Sequence, residues 1–299
     1  MPVGRWKQRN SREATHLPSC AGCNWAHTAL AGWPAAKAAG FFLVFDKKKA
    51  ELQPLKKRCN PLTTSAAIAD AAAQHCDTPG VYDEHMVLPR MVYVSDATEL
   101  GTVYTKAELT ALRAACDAHG MYLYLDGARL AQALTAAGND LQPEDLPRLC
   151  DAFYIGGTKN GLLFGEAMVI VNDALKPGFR RAMKRNGAML AKGRLLGVQF
   201  AAAMAHDLWL DMARHADTQA QRIAAALTDR NVPMYVPSPT NQIFPILSDA
   251  QIARLQEQVA FYTTARVDAA HQAVRFVTSW ATTDAQVDAL LAVLAQVLD

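Results

Sequence analysis

The sequence predicts an α/β fold: a mostly parallel sheet between helices, followed by a smaller α+β C-terminal domain. Three observations carry this. Short apolar runs of strand type recur at residues 91–95, 122–125, 152–155 and 167–171. Helical patterns separate the first three, giving a β-α-β-α-β-β succession of the kind that builds a sheet covered by helices. A 51% hydrophobic fraction with 19% charge, over 299 residues, is enough to bury a sizeable core.

The elements follow in order. Residues 1–60 have weak periodicity, prolines at 18, 34 and 54, and the run Lys47-Lys48-Lys49. They hold 11 basic and 3 acidic residues, net +8, while the remainder holds 19 and 25, net −6. Such a step marks a change of role or origin along the chain. The segment is expected to be atypical, either disordered or not native coding sequence. Residues 63–75 read as an alanine-rich helix capped by Thr63, Thr64 or Ser65. Residues 105–119 form an amphipathic helix, with Thr105 and Glu108 in capping-box spacing and Gly120 as its stop. A short helix at 145–150 leads into the strand at 152–155.

Residues 176–215 are mainly helical, and 197–212 are long, apolar and poor in charge. A separate helix is expected at 217–230, then strand-like 234–236 and 242–247, a helix at 249–257, a strand at 273–278 and a closing helix at 284–298. The expected division is therefore 1–60, a large domain at 61–215 and a small one at 216–299.

Cysteines stand at 20, 23, 59, 76, 116 and 150. Cys20 and Cys23 have metal-ligand spacing without a second pair, so no metal is expected. Cys116 and Cys150 lie in apolar stretches and read as buried thiols. No stretch near the start is long enough for a membrane span or well placed as a signal peptide. The basic arm lacks a nucleic-acid motif. The expectation is a cytoplasmic protein that binds neither membrane nor nucleic acid.

Two strand ends carry the chemistry. Tyr122-Leu123-Tyr124-Leu125-Asp126-Gly127-Ala128-Arg129 ends a strand in an acid, and Tyr154-Ile155-Gly156-Gly157-Thr158-Lys159 ends another just before a lysine. Ligands of open α/β sheets bind at the carboxyl ends of strands. A lysine amine can form a Schiff base with an aldehyde, and a carboxylate can keep a pyridine nitrogen protonated; pyridoxal 5'-phosphate needs that pair. On the residues alone, Lys159 has a second reading as a surface lysine on a glycine-rich turn, and Asp126 as a backbone cap.

At these residues the chain resembles the threonine aldolase / β-eliminating lyase family, of the aspartate-aminotransferase fold type. The likeness extends to Asp83-Glu84-His85-Met86-Val87, to Ser95-Asp96-Ala97-Thr98-Glu99-Leu100-Gly101-Thr102-Val103-Tyr104, to Thr240-Asn241-Gln242-Ile243-Phe244 and to Arg275-Phe276-Val277-Thr278-Ser279-Trp280. It runs from about residue 61 to the end. The resemblance implies a pyridoxal-phosphate-dependent carbon–carbon lyase cleaving β-hydroxy-α-amino acids, threonine to glycine and acetaldehyde. It implies Lys159 as the attachment point, Asp126 opposite the ring nitrogen, and His85 as the group at the substrate hydroxyl. Thr98 and Thr158 would face cofactor oxygens. Arg129 and Arg275 would clamp the substrate carboxylate, for which a planar fork of donors is well suited. The apolar helix at 197–212 would bury against a second subunit of a homo-oligomer.

The resemblance also implies a Gly-Gly-Thr-x-x-Asn-like phosphate loop at a helix start, which residues 1–60 do not contain. The large domain is therefore expected to be incomplete, as in a chain lacking most of the N-terminal half. The alternative to a working lyase is a truncated, catalytically impaired remnant with a structural role or none.

Overall fold

The computed structural model describes residues 40–44, 63–75 and 88–298. Its first sheet has five strands in the order of the chain: β1 (Gly40–Val44), β2 (Leu88–Ser95), β3 (Tyr122–Asp126), β4 (Ala152–Gly156) and β5 (Glu166–Ile170). The first four are parallel, and β5 runs antiparallel to β4. The mostly parallel sheet read from the sequence is thus present. Gly40–Val44 joins it at the edge; the rest of residues 1–60 lies outside the described residues, with Cys20, Cys23 and Cys59.

Helix α1 (Ser65–His75) starts at Thr64, whose Oγ1 accepts from the Ala67 N–H at 3.2 Å. Helix α2 (Lys106–Ala118) carries the expected capping box between Thr105 and Glu108, and buries Leu109, Leu112 and Cys116 along one face. That is the i, i+3, i+7 stripe of a helix lying on a sheet. Two short helices, α3 (Leu130–Thr135) and α4 (Leu146–Leu149), follow β3.

The alternation Tyr122-Leu123-Tyr124-Leu125 decides what each face of the sheet holds, because successive strand side chains point to opposite sides. Leu123 and Leu125 join Val92, Val94 and Phe153 in an aliphatic core under α1, α2 and α4. Cys116 and Cys150 are buried there, and burial pushes both thiols up to about 12. Tyr122 and Tyr124 lie on the other face with Tyr93 and Tyr154, against Leu175 and Phe179. Asp126 falls two residues beyond Tyr124 and so shares the tyrosine face.

Helices α5 (Phe179–Arg185) and α6 (Arg194–Met204) lead into α7 (Leu208–Thr228). The sequence suggested a break near residue 216, but α7 runs unbroken through it. Nothing there breaks a helix, and Ala213, Ala216 and Ala220 form a buried stripe of small residues. The chain turns instead at 205–207, where His206 and Asp207 have φ of 55° and 58°. In α6 only Ala203 is buried, while Leu195, Val198 and Met204 are exposed.

The second sheet centres on β9 (His271–Val277), paired with β6 (Gln242–Ile243), β7 (Ile246–Ser248) and β8 (Tyr262–Arg266). The expected strand at 242–247 is split at Phe244-Pro245 into β6 and β7. Helices α8 (Asp249–Gln256) and α9 (Asp284–Leu298) pack with α7 over this sheet around Ile223, Leu255, Val274 and Leu294. No helix among the described residues is long and apolar enough to cross a membrane.

Candidate active site

The carboxyl ends of β3 and β4 meet at two glycines. A Cβ on Gly127 would run into the Tyr154 carbonyl oxygen, and one on Gly156 into the Ala128 carbonyl. With no side chains in the way, the Gly156 N–H donates to the Gly127 carbonyl at 2.8 Å. The close approach brings Asp126, at the end of β3, toward the turn that carries Lys159.

Asp126 is 8% exposed. The hydroxyls of Tyr93 and Tyr154, from the two flanking strands, donate to its Oδ2 and Oδ1, and the Ala128 N–H donates to Oδ1 at 3.0 Å. Burial, then the Asp126 charge, raises the pKa of both tyrosines, so both stay protonated donors. An ionised carboxylate has about four acceptor sites. With these three donors in place, about one site remains for a further N–H.

Lys159 lies in a single turn of 3₁₀ helix, Thr158–Asn160. The turn is pinned on both sides of the lysine. Before it, the Gly157 N–H donates to Glu166 Oε2 at 2.7 Å, and Thr158 Oγ1 to Glu166 Oε1 at 3.4 Å. After it, buried Asn160 donates to the Trp209 carbonyl at 2.5 Å and accepts from Gln132 at 3.1 Å. Lys159 is surface-exposed, with its amine close enough to the site that partial desolvation, then the positive charge of Arg129, lowers its pKa. Both effects favour the neutral amine that a nucleophile needs. Glu99, Asp126 and Glu166 act in the opposite direction.

Arg129, next to α3, is desolvated, and the nearby positive charge of Arg275 on β9 lowers its pKa further. The Nε atoms of both arginines are buried without a hydrogen-bond partner among the described residues. Arg275 Nη1 reaches Gln242 only at 3.5 Å, and its guanidinium lies 5.4 Å from the Tyr262 ring centroid. Two guanidinium groups close enough to repel, each with an unused donor, suit an anion bound between them.

The structure therefore brings Lys159, Asp126, Arg129 and Arg275 together, with Thr158 beside them. Thr98 is fully buried in its own turn, its Oγ1 2.7 Å from Thr102 Oγ1 and accepting from the Thr102 N–H at 2.9 Å. His85 lies outside the described residues. Tyr93, Tyr154, Asn160 and Glu166 were not read from the sequence. The alternation of β3 was the available signal for the tyrosine face. Nothing local to Glu166 announces that it lies opposite Gly156.

Comparison with known proteins matches residues 52–250 to the beta-eliminating lyase family model. The chain belongs to the beta-eliminating lyase family. It is 34% identical over 221 residues to the low specificity L-threonine aldolase of Pseudomonas aeruginosa, covering 73% of this chain and 61% of that enzyme. A second such aldolase, from a Pseudomonas species, is 32% identical over 239 residues, covering 79% of this chain and 66% of its own length. The chain thus spans less than two thirds of these relatives. The solved threonine aldolase of Leishmania major is 42% identical, with a TM-score of 0.75, over 79% of this chain and 68% of that one. A β-eliminating lyase/threonine aldolase structure from Exiguobacterium, at 17% identity and a TM-score of 0.64, shares the fold. The architecture is that of the pyridoxal-phosphate-dependent transferases, and family members use this cofactor.

Proposed function

We propose that this chain carries the catalytic edge of a pyridoxal-phosphate-dependent lyase that cleaves β-hydroxy-α-amino acids, threonine to glycine and acetaldehyde. The convergence of a lysine of lowered pKa, a buried carboxylate and two arginines with unused donors supports it most directly.

These residues fit the cofactor. Lys159 would hold its aldehyde carbon, and the remaining acceptor site of Asp126 would take its ring N–H. When bound, pyridoxal phosphate supplies an electron sink for the bond broken at Cα. Arg129 and Arg275 bind and orient the substrate carboxylate, which fixes Cα relative to Lys159. Burial of Arg129 strengthens that interaction by excluding water. His85 is assigned to the β-hydroxyl, where a neutral imidazole can accept the proton whose loss opens the Cα–Cβ bond. Thr158 has its hydroxyl beside the same turn. The exposed apolar residues of α6 suit burial in a homo-oligomer.

The test is borohydride trapping of pyridoxal phosphate on the full chain, with the labelled peptide identified by mass spectrometry, alongside glycine and acetaldehyde release from threonine. Label on Lys159, lost together with turnover in Lys159→Ala, is the expected result. Label elsewhere, or turnover that survives Lys159→Ala, would remove Lys159 from the mechanism. A second reading is a catalytically impaired member of this family. It expects weak, phosphate-indifferent trapping and no turnover.

A further inference from the structure

We propose that Glu166 is a positioning residue for Lys159, a charged side chain that clasps the lysine's turn from the neighbouring strand. The inference rests on the reading of Lys159 as the cofactor-bearing lysine and adds a residue that the sequence did not single out. Strands β4 and β5 are antiparallel, with Gly156 opposite Glu166. That register puts the carboxylate over the backbone immediately before Lys159. Its two oxygens are engaged separately, Oε2 by the Gly157 N–H at 2.7 Å and Oε1 by the Thr158 hydroxyl at 3.4 Å. Asn160 fixes the other side of the turn through Trp209 and Gln132. Lys159 is thereby held between two anchors that come from different elements.

The two anchors differ in kind. Asn160 is neutral, whereas Glu166 carries a charge. The charged groups acting on Lys159 are Arg129, which favours its neutral form, and Glu99, Asp126 and Glu166, which favour its protonated form. Glu166 is exposed at the edge of the site; desolvation, the largest effect on it, raises its pKa, and the Gly157 N–H, Lys159 and Thr158 act against that rise. It thus does two separable things: its oxygens shape the turn, and its charge opposes Arg129. Glutamine keeps one neutral acceptor oxygen for the Gly157 N–H and loses the charge; alanine loses both.

The experiment measures acetylation of Lys159 by acetic anhydride as a function of pH, in the full chain without cofactor, together with hydrogen exchange at the Gly157 amide. In Glu166→Gln the midpoint of Lys159 reactivity should move down, because a charge that favours the protonated amine is gone. Gly157 exchange should rise less than in Glu166→Ala, because the glutamine carbonyl still accepts the hydrogen bond, as a neutral and weaker acceptor. In Glu166→Ala, loss of a charge-assisted hydrogen bond should speed Gly157 exchange by about tenfold or more. A Glu166→Gln profile that coincides with the wild type overturns the proposal, and that variant decides the matter even if Glu166→Ala fails to fold. Borohydride trapping on wild-type Lys159 separates the two claims. A shifted profile without trapping leaves the role of Glu166 standing and sinks the cofactor reading. Trapping with coincident profiles does the reverse.

Discussion

Asp126 and Asp217 are buried carboxylates, 8% and 5% exposed, and the protein treats them in opposite ways. Asp126, on the tyrosine face, accepts from two tyrosine hydroxyls and a backbone N–H, with Arg129 and Lys159 in its surroundings. Asp217, on α7 against the end of α3, accepts from the Thr135 hydroxyl at 2.6 Å with weaker help from the Asn241 backbone. Its Oδ1 has no hydrogen-bond partner among the described residues. Burial pushes the Asp217 carboxyl up to about 7. The comparison teaches that burial alone does not make a binding site. A carboxylate ready for a ligand is one whose desolvation is offset by fixed donors that leave an acceptor site open.

The largest effect should come from removing the better-supported acid. Asp126→Ala takes away the acceptor for the cofactor's ring N–H and should cost three or more powers of ten in turnover, about 4 kcal/mol or more of barrier. Trapping of the cofactor on Lys159 should persist. Steady-state kinetics and borohydride trapping on the same preparation test the split. Near-normal turnover would make Asp126 structural, as Asp217 is.

Asp217→Asn probes the other acid. The folded chain keeps a proton on Asp217 that the unfolded chain, at the ordinary value of 3.8, has released. Stability from this group is therefore full below about pH 4 and is lost as pH rises to about 7. At about 1.36 kcal/mol per unit the loss is ~4 kcal/mol at most. Asparagine keeps an acceptor for Thr135 and has no charge to bury. Urea unfolding at pH 5 and pH 8 should show the wild type losing more stability than Asp217→Asn between the two. Parallel pH responses would mean that Asp217 is better solvated than its burial implies.

The contrast between the two acids was only half visible in the sequence. Asp126 stands at the end of a four-residue alternation, so its strand, its face and its position beside a ligand edge could be read. Lys159 followed a second strand by the same logic. Asp217 was read only as the first residue of a new helix, although the small residues Ala213, Ala216 and Ala220 carry α7 through that point. The partners that set each acid apart are cross-strand or cross-helix neighbours. Tyr93 lies 33 residues from Asp126, and Thr135 lies 82 from Asp217. Strand β8 was missed for a related reason. Tyr262, Thr263 and Thr264 are all exposed, so no buried–exposed alternation marks the run as a strand.

The smallest effect tests what makes Asp126 different. Tyr93→Phe and Tyr154→Phe each remove one donor and keep nearly all the ring packing, including the stack of Tyr93 on Tyr124 at 5.4 Å. Each should cost about 1.5–3 kcal/mol of stability at pH 7, the range for a hydrogen bond to a charged group. The two share one acceptor group, so the double variant should lose more than the sum. With both hydroxyls gone Asp126 keeps the Ala128 N–H alone, which approaches the condition of Asp217. The measurement is urea unfolding at pH 7 of both single variants and the double variant. Losses of less than about 0.5 kcal/mol would show that Arg129 and Lys159, and not the tyrosines, keep this carboxylate ready for a ligand.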